Sequence, residues 1–137
     1  MVNRVTIIGN LGKDPEVRRL ENGAVVAKFS VATSENYKDK SGEWQTVTEW
    51  HDVVVWHKLA EKAESTLKKG TQVYIEGKLT HRNWEDSDGN KRRSTEIVSN
   101  YFRVVNSSRS STQGMNEQQA NTESDEGMTG TNDDLPF

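Results

Sequence analysis

The sequence predicts an all-β domain: a five-stranded Greek-key barrel with one helix between the third and fourth long strands, then a disordered acidic C-terminal tail. Three observations carry this. Apolar and polar residues alternate through five long segments, the period of a strand with one face buried. A single segment, Leu59 to Lys69, changes to helical spacing. Beyond residue 105 the pattern stops altogether. Hydrophobic residues make up only 31% of the 137 residues, low for a fully packed chain and in keeping with a smaller domain plus a tail. The expected boundaries are a folded domain at 1–105, a polar linker at 106–132 and an acidic tip at 133–137.

The first strand, Arg4 to Leu11, places Val5, Ile7 and Leu11 on one face, and Gly9 and Gly12 point to a bend or a close backbone approach. Asp14-Pro15 marks a turn, Glu16 to Leu20 a short charged strand, and Asn22-Gly23 a hairpin turn. Val25, Ala27, Phe29, Val31 and Thr33 then share a face, with Lys28, Ser30 and Ser34 opposite. The polar run Lys38 to Glu43 is a loop. It leads into the longest strand, Trp44 to His57, rich in β-branched and aromatic residues.

In the next segment Leu59, Ala63 and Leu67 sit four apart, with Glu61 and Glu64 early, Lys68 and Lys69 in the last turn, and Gly70 placed as the C′ cap. That predicts a helix of about three turns. Thr71 to Arg82 returns to alternation, with Val73, Ile75 and Leu79 inward and Tyr74, Lys78 and Arg82 outward. Trp84 continues the outward face, a charged hairpin tip spans Glu85 to Lys91, and a last strand runs from about Arg92 to Val104. This order fits a barrel of the oligonucleotide-binding (OB) type, although an open sandwich meets the same pattern.

The Trp44–His57 strand carries the functional question. One face holds Trp44, Thr46, Thr48, Trp50, Asp52, Val54 and Trp56; the other holds Val47, His51, Val53 and Val55. Val53 and Val55 suit a core. Three tryptophans opposite them exceed what a core strand needs, unless the strand is buried on both faces. Exposed aromatics beside cations suit stacking of unpaired bases, since every base has a π-face. Trp50, Trp56, Arg82 and Trp84 interleave cations and aromatics in this way across two strands.

Charge alone is a weak guide. Residues 1–105 carry 17 basic and 15 acidic side chains, a balance of +2, and residues 106–137 carry one and six, a balance of −5. A domain so mildly basic does not declare a nucleic-acid partner by electrostatics. No cysteine is present, so disulfides and thiolate metal sites are excluded. The longest aliphatic and aromatic run, Val53 to Trp56, is far short of a membrane span, and Met1 to Arg4 lead directly into a strand without a signal-peptide core. A soluble intracellular protein is expected.

Catalytic and metal chemistry find little support. His51 and His57 share a strand face but lie roughly 20 Å apart at the strand rise, too far for one metal. Structural or interface histidines are the expectation. Asp86 to Asn90 has its glycine fourth, where a calcium loop needs it sixth, and Ile97 stands where the bidentate glutamate belongs. A solvated hairpin tip is expected there. No phosphate-cradling loop, nucleophile elbow or cysteine nucleophile is present, so neither an enzyme nor a cofactor is expected. Lys91 reads as solvated, whereas Arg92 and Arg93 fit phosphate contact and solvated surface equally. In the tail, an apolar Leu135-Pro136-Phe137 after Asp133 and Asp134 has no folding role and reads as a docking peptide. The rest of the tail cannot bury enough apolar surface to offset its ordering entropy.

Over essentially its whole length the chain resembles the bacterial single-stranded DNA-binding proteins. The resemblance rests on Asn3 to Glu16, Phe29 to Ser34, Thr48-Glu49-Trp50-His51, Lys69-Gly70, Tyr74 to Gly77, Thr95-Glu96-Ile97 and the acidic tail ending in Pro-Phe. It implies an OB barrel assembled as a homotetramer, wrapped by single-stranded DNA, without catalysis, in the cytoplasm and associated with the nucleoid. By residue, it implies base stacking at Tyr37, Trp50, Trp56 and Trp84. It implies cationic DNA contacts at Arg4, Arg18, Lys40, Lys58, Lys69 and Arg82, and a subunit interface at His51. It also implies recruitment of replication, recombination and repair enzymes by Asp133, Asp134, Leu135, Pro136 and Phe137. Three departures stand out: Asp52 where many members have arginine, an extra aromatic at Trp44, and two consecutive aspartates where three are common. A barrel using its aromatic face for protein or carbohydrate is the competing reading.

Overall fold

The structure, a computed structural model, describes residues 1–106. The last strand runs on to Asn106, the first residue of the expected linker; the rest of that linker and the docking tip at 133–137 lie outside the described residues. Six strands and one helix follow in the order β1 (Val5–Leu11), β2 (Glu16–Arg19), β3 (Val25–Lys38), β4 (Trp44–Trp56), α1 (Lys58–Thr66), β5 (Gln72–Glu85) and β6 (Lys91–Asn106).

The strands hydrogen-bond in the order β1-β5-β6-β4-β3-β2, and β1 also pairs with β3. That second pairing closes five strands into a barrel and leaves β2 as a short edge on β3. An open sandwich is thereby excluded. Closure is antiparallel between β1 and β3, at Asn10–Ala32 and Leu11–Val31, and parallel between β4 and β6, at Val53–Ile97 and Val54–Val98. Gly9 makes the first junction possible. A side chain there would strike the Ala32 carbonyl and sit 2.7 Å from Val31 Cγ1, so only glycine lets β1 approach so closely.

The inward residues form one core. Leu11, Phe29, Val31, Val53, Val55, Val73, Ile75, Ile97 and Phe102 meet inside the barrel, and Ala60, Ala63 and Leu67 add the buried face of α1. Lys62 extends its ammonium from α1 to the Phe102 carbonyl, at 3.1 Å. Arg19 of β2 pairs with Glu64 of α1, at 2.7 Å. The Asn22-Gly23 turn forms as expected, with Gly23 at φ 83° and its N–H on the Leu20 carbonyl.

The structure corrects three local expectations. α1 ends at Thr66, so Lys68 and Lys69 lie outside its last turn and Gly70 is not its C′ cap. Leu67 turns extended to bury its side chain, and the Lys69 N–H bonds Asp14 at 2.7 Å; these tertiary contacts outweigh the helical preference of the lysines. β4 stops at Trp56, because His57 takes φ 56° and turns the chain into α1. Leu79 is exposed instead of inward, since the β5–β6 hairpin runs on past the barrel after a register shift at Glu76/Gly77. Val26 and Val54 stand on the outer face, opposite Trp56 and Lys28, yet are buried.

Candidate nucleic-acid interface

Two long hairpins build the candidate surface. Directly opposed residues in a strand pair put their side chains on the same face, so the register states which groups meet. On the outer face of β3–β4 the pairs are Val26–Trp56, Lys28–Val54, Ser30–Asp52, Ala32–Trp50 and Lys38–Trp44. Arg18 of β2 opposes Val26 and joins this row beside Trp56. On β5–β6 the matching pairs are Lys78–Val98, Thr80–Glu96, Arg82–Ser94 and Trp84–Arg92. The parallel Val54–Val98 pair joins the two hairpins, so a single outer face runs from Trp50 and Trp56 across to Arg82 and Trp84.

Packing against the core does not explain these tryptophans. Exposure is 60% for Trp50, 41% for Trp56, 45% for Trp84 and 72% for Trp44. Trp50 has one seat: a side chain on Gly12 would lie 2.7 Å from its Cη2 and closer still to Cζ3, so the indole rests directly on the Gly12 backbone. The Arg82 guanidinium lies 6.0 Å from the Trp84 ring centroid, at the outer limit of a cation–π contact.

Electrostatically the face is cationic but partly neutralised. Glu96 of β6 accepts from both Lys28 and Arg82, at 3.4 Å each, and so links β3 to β5 across the hairpin junction. Asp52 accepts from Ser30 Oγ at 3.3 Å. With Lys13, Glu16, Lys28 and Glu96 it lines a depression of about 220 Å³. A second, of about 430 Å³, lies beside Trp84 and is lined by Lys91, Arg92 and Arg93.

The hairpin tips are tied by the same device. Asp39 Oδ1 accepts the Ser41 and Glu43 N–H groups at 2.9 Å each, and Asp86 Oδ1 accepts those of Asp88 and Asn90 at 3.0 and 2.9 Å. The Glu43 N–H chiefly, then the Gln45 amide and Ser41, hold the Asp39 carboxyl below the usual aspartate range. At Asp86 the Asn90 N–H does most, with the Arg92 guanidinium second. The Asp86–Asn90 segment is thus a hairpin tip, as the sequence led one to expect, and its carboxylate serves the turn.

The residues singled out from the sequence do not all converge. Trp50, Trp56, Trp84, Arg18 and Arg82 share the outer face. Tyr37, 47% exposed, lies on the opposite face of the β3–β4 arm, where it opposes Gln45. His51 is on that face too, half-buried and 2.8 Å from Thr33 Oγ1. Arg4 lines a depression with Gly77, Lys78 and Asn100 on the β1–β5 side. Lys40 is exposed in the β3–β4 turn, Lys58 opens α1 and Lys69 lies in the turn before β5. Among the described residues, no group of three or more His, Asp or Glu could hold a metal ion. Lys28 and Gly12 also belong to this face, although the sequence reading did not single them out as candidates. Alternation placed Lys28 outward, but only closure brings it to Glu96.

A closed five-stranded barrel whose outer face interleaves indoles with basic groups defines an OB-type barrel suited to an extended, aromatic-bearing anion. The chain belongs to the single-strand binding protein family, whose family model matches residues 2–105. Among solved structures it is similar to Plasmodium falciparum SSB in complex with ssDNA. Identity is 30% over 77% of this chain and 97% of that one, with a TM-score of 0.72. It is also similar to a deletion mutant of the single-stranded DNA binding protein from Thermus aquaticus, at 28% identity and a TM-score of 0.68 over 77% of this chain. This chain spans about half, 51%, of the Thermus chain.

Proposed function

We propose that this chain binds and protects single-stranded DNA without sequence preference, stacking bases on exposed indoles and pairing phosphates with the cations around them. The continuous outer face carries this reading: Trp50, Trp56 and Trp84 are solvent-exposed on one surface with Arg18, Lys28 and Arg82. Stacking tolerates any base, and phosphate contacts position a strand without reading it. Tyr37 and Lys40 would engage DNA from the hairpin arm, and Arg4, Lys58 and Lys69 where a strand wraps around the barrel. The similarity to a family member solved with ssDNA supports the same reading.

The finer proposals follow the family. The domain assembles as a homotetramer with His51 at an interface. A second exposed surface supports self-association: Ile8, Tyr101 and Val105 stand on the outside of β1 and β6, and Tyr74 packs edge-on against Tyr101 at 6.2 Å. A linker at 106–132 carries the tip Asp133 to Phe137, which recruits replication, recombination and repair enzymes to the DNA. The role is binding without catalysis, in the cytoplasm at the nucleoid.

Titration with oligo(dT) tests the core of this. Stoichiometric DNA should quench tryptophan fluorescence, and Trp50→Ala or Trp84→Ala should each weaken binding by ~1–3 kcal/mol without loss of folding. Unchanged affinity in both variants would refute the stacking role. Deleting Leu135 to Phe137 should abolish enzyme recruitment and spare DNA binding.

A further inference from the structure

Trp44 is the most exposed tryptophan in the domain, at 72%, and no residue of the family pattern accounts for it. We infer that Trp44 is a base-stacking residue that carries the single-stranded DNA path off the barrel and onto the β3–β4 arm. The inference rests on the proposed DNA-binding function and extends its surface.

Placement is the first argument. Trp44, Trp50 and Trp56 are six residues apart along β4 and therefore point to the same face, at intervals of roughly 20 Å. Trp44 is thus the next position on the line that Trp50 and Trp56 begin. Its register partner is Lys38, whose side chain flanks the indole on the same face, and Lys40 follows in the turn. Between Trp44 and Trp50 that face carries only Ser34, Asn36, Thr46 and Thr48, all uncharged. Their side chains satisfy one another across the strands: Thr46 Oγ1 donates to Asn36 Oδ1 at 2.8 Å, and Ser34 lies 3.2 Å from Thr48.

Charge selects the face. The reverse side of the arm presents Glu35 and Glu49 with Tyr37 and Val47. The side of Lys38 is therefore the more favourable of the two for a polyanion leaving Trp50, with Tyr37 a separate stacking position on the reverse side near the tip. Glu43 is the one acid adjacent to Trp44 in sequence, and the Asp39 carboxylate is engaged by backbone N–H groups of the turn. An apolar protein pocket is a poor occupant, since Trp44 stands alone among polar side chains and no contiguous apolar patch surrounds it. The arm is also ordered in advance. Thirteen register pairs join β3 and β4, and Asp39 ties the tip, so the backbone that bears the indole has little entropy left to lose.

The test uses the full-length protein and oligo(dT) of increasing length. Trp44→Ala should bind long oligonucleotides about tenfold more weakly, Trp44→Phe should restore most of the loss, and the shortest bound oligonucleotides should show no difference. A variant retaining Trp44 as its sole tryptophan, with phenylalanine at 50, 56 and 84, should show fluorescence quenching only with the long oligonucleotides. Equal affinity of Trp44→Ala and wild type at every length, with Trp50→Ala still weakened, would overturn the inference and leave the proposed function standing. A change in sedimentation with unaltered affinity per protomer would overturn it too, making Trp44 a self-contact. Failure of wild type to bind any oligo(dT) would refute the underlying function instead.

Discussion

Gly12→Ala isolates the seating of Trp50. The backbone at Gly12 is outside the positive-φ region, so an alanine is conformationally acceptable there. Its Cβ, however, would stand 2.7 Å from Trp50 Cη2 and nearer to Cζ3, where ordinary contact begins at 3.4 Å. The ring must therefore retreat by about 1 Å or rotate away. Because Trp50 is 60% exposed, it can do so into solvent, and the core beneath does not move. Stability should change by no more than about 0.5 kcal/mol, as for other surface substitutions. DNA affinity should fall by up to the whole stacking contribution, ~1–3 kcal/mol, or roughly 5- to 150-fold. Fluorescence titration with oligo(dT) in a double-mutant cycle gives the answer: in a Trp50→Ala background, Gly12→Ala should have no further effect. An equal loss in both backgrounds would show that Gly12 acts on DNA by another route and would refute the seating argument.

Glu96→Gln should tighten DNA binding, since it releases Lys28 and Arg82 for phosphates; the log–log salt slope should steepen by as much as ~1.4, two contacts at ~0.7 each. An unaltered slope would mean that neither cation reaches the strand. His57, at φ 56° and ψ −125°, holds a conformation suited to glycine. His57→Gly should stabilise the domain by ~1 kcal/mol, a strain of ~1–3 kcal/mol offset by ~0.5–1 kcal/mol of glycine entropy; lower stability in urea would show that the imidazole contributes more than the strain costs. Asp39 and Asp86 ionise below the usual aspartate value of 3.8, so their contribution to the hairpin tips is complete above that pH and is lost as pH falls through the lower folded values. The protection of the Ser41 and Glu43 amides, taken relative to their intrinsic exchange rates, should fall on acidification below about pH 4, and Asp39→Asn should remove that dependence at its own tip alone.

What was legible in the sequence is what a strand settles locally. Side chains alternate with a period of two, so Trp44, Trp50 and Trp56 had to share a face once β4 was recognised, and Val53 and Val55 had to oppose them. Turn chemistry is equally local, and Asn22-Gly23 forms the predicted hairpin. The family resemblance named the candidate tryptophans, but not which surface each would join. Those outcomes depended on contacts between distant segments. Gly9 against Ala32 closes the barrel, and the Val54–Val98 pair merges two hairpins into one outer face. Trp50 finds its seat on Gly12, and Glu96 gathers Lys28 and Arg82, by proximity that no local period encodes. Tyr37 stands on the opposite face by alternation alone, since it shares its side of β3 with Val31 and Thr33 and not with Lys28; the register then sets it against Gln45. Helix α1 ended early because burying Leu67 and bonding Lys69 to Asp14 outweighed a few tenths of a kcal/mol per residue of helical preference. Local sequence determined which way each side chain faces along its strand; only closure of the barrel decided which side chains meet.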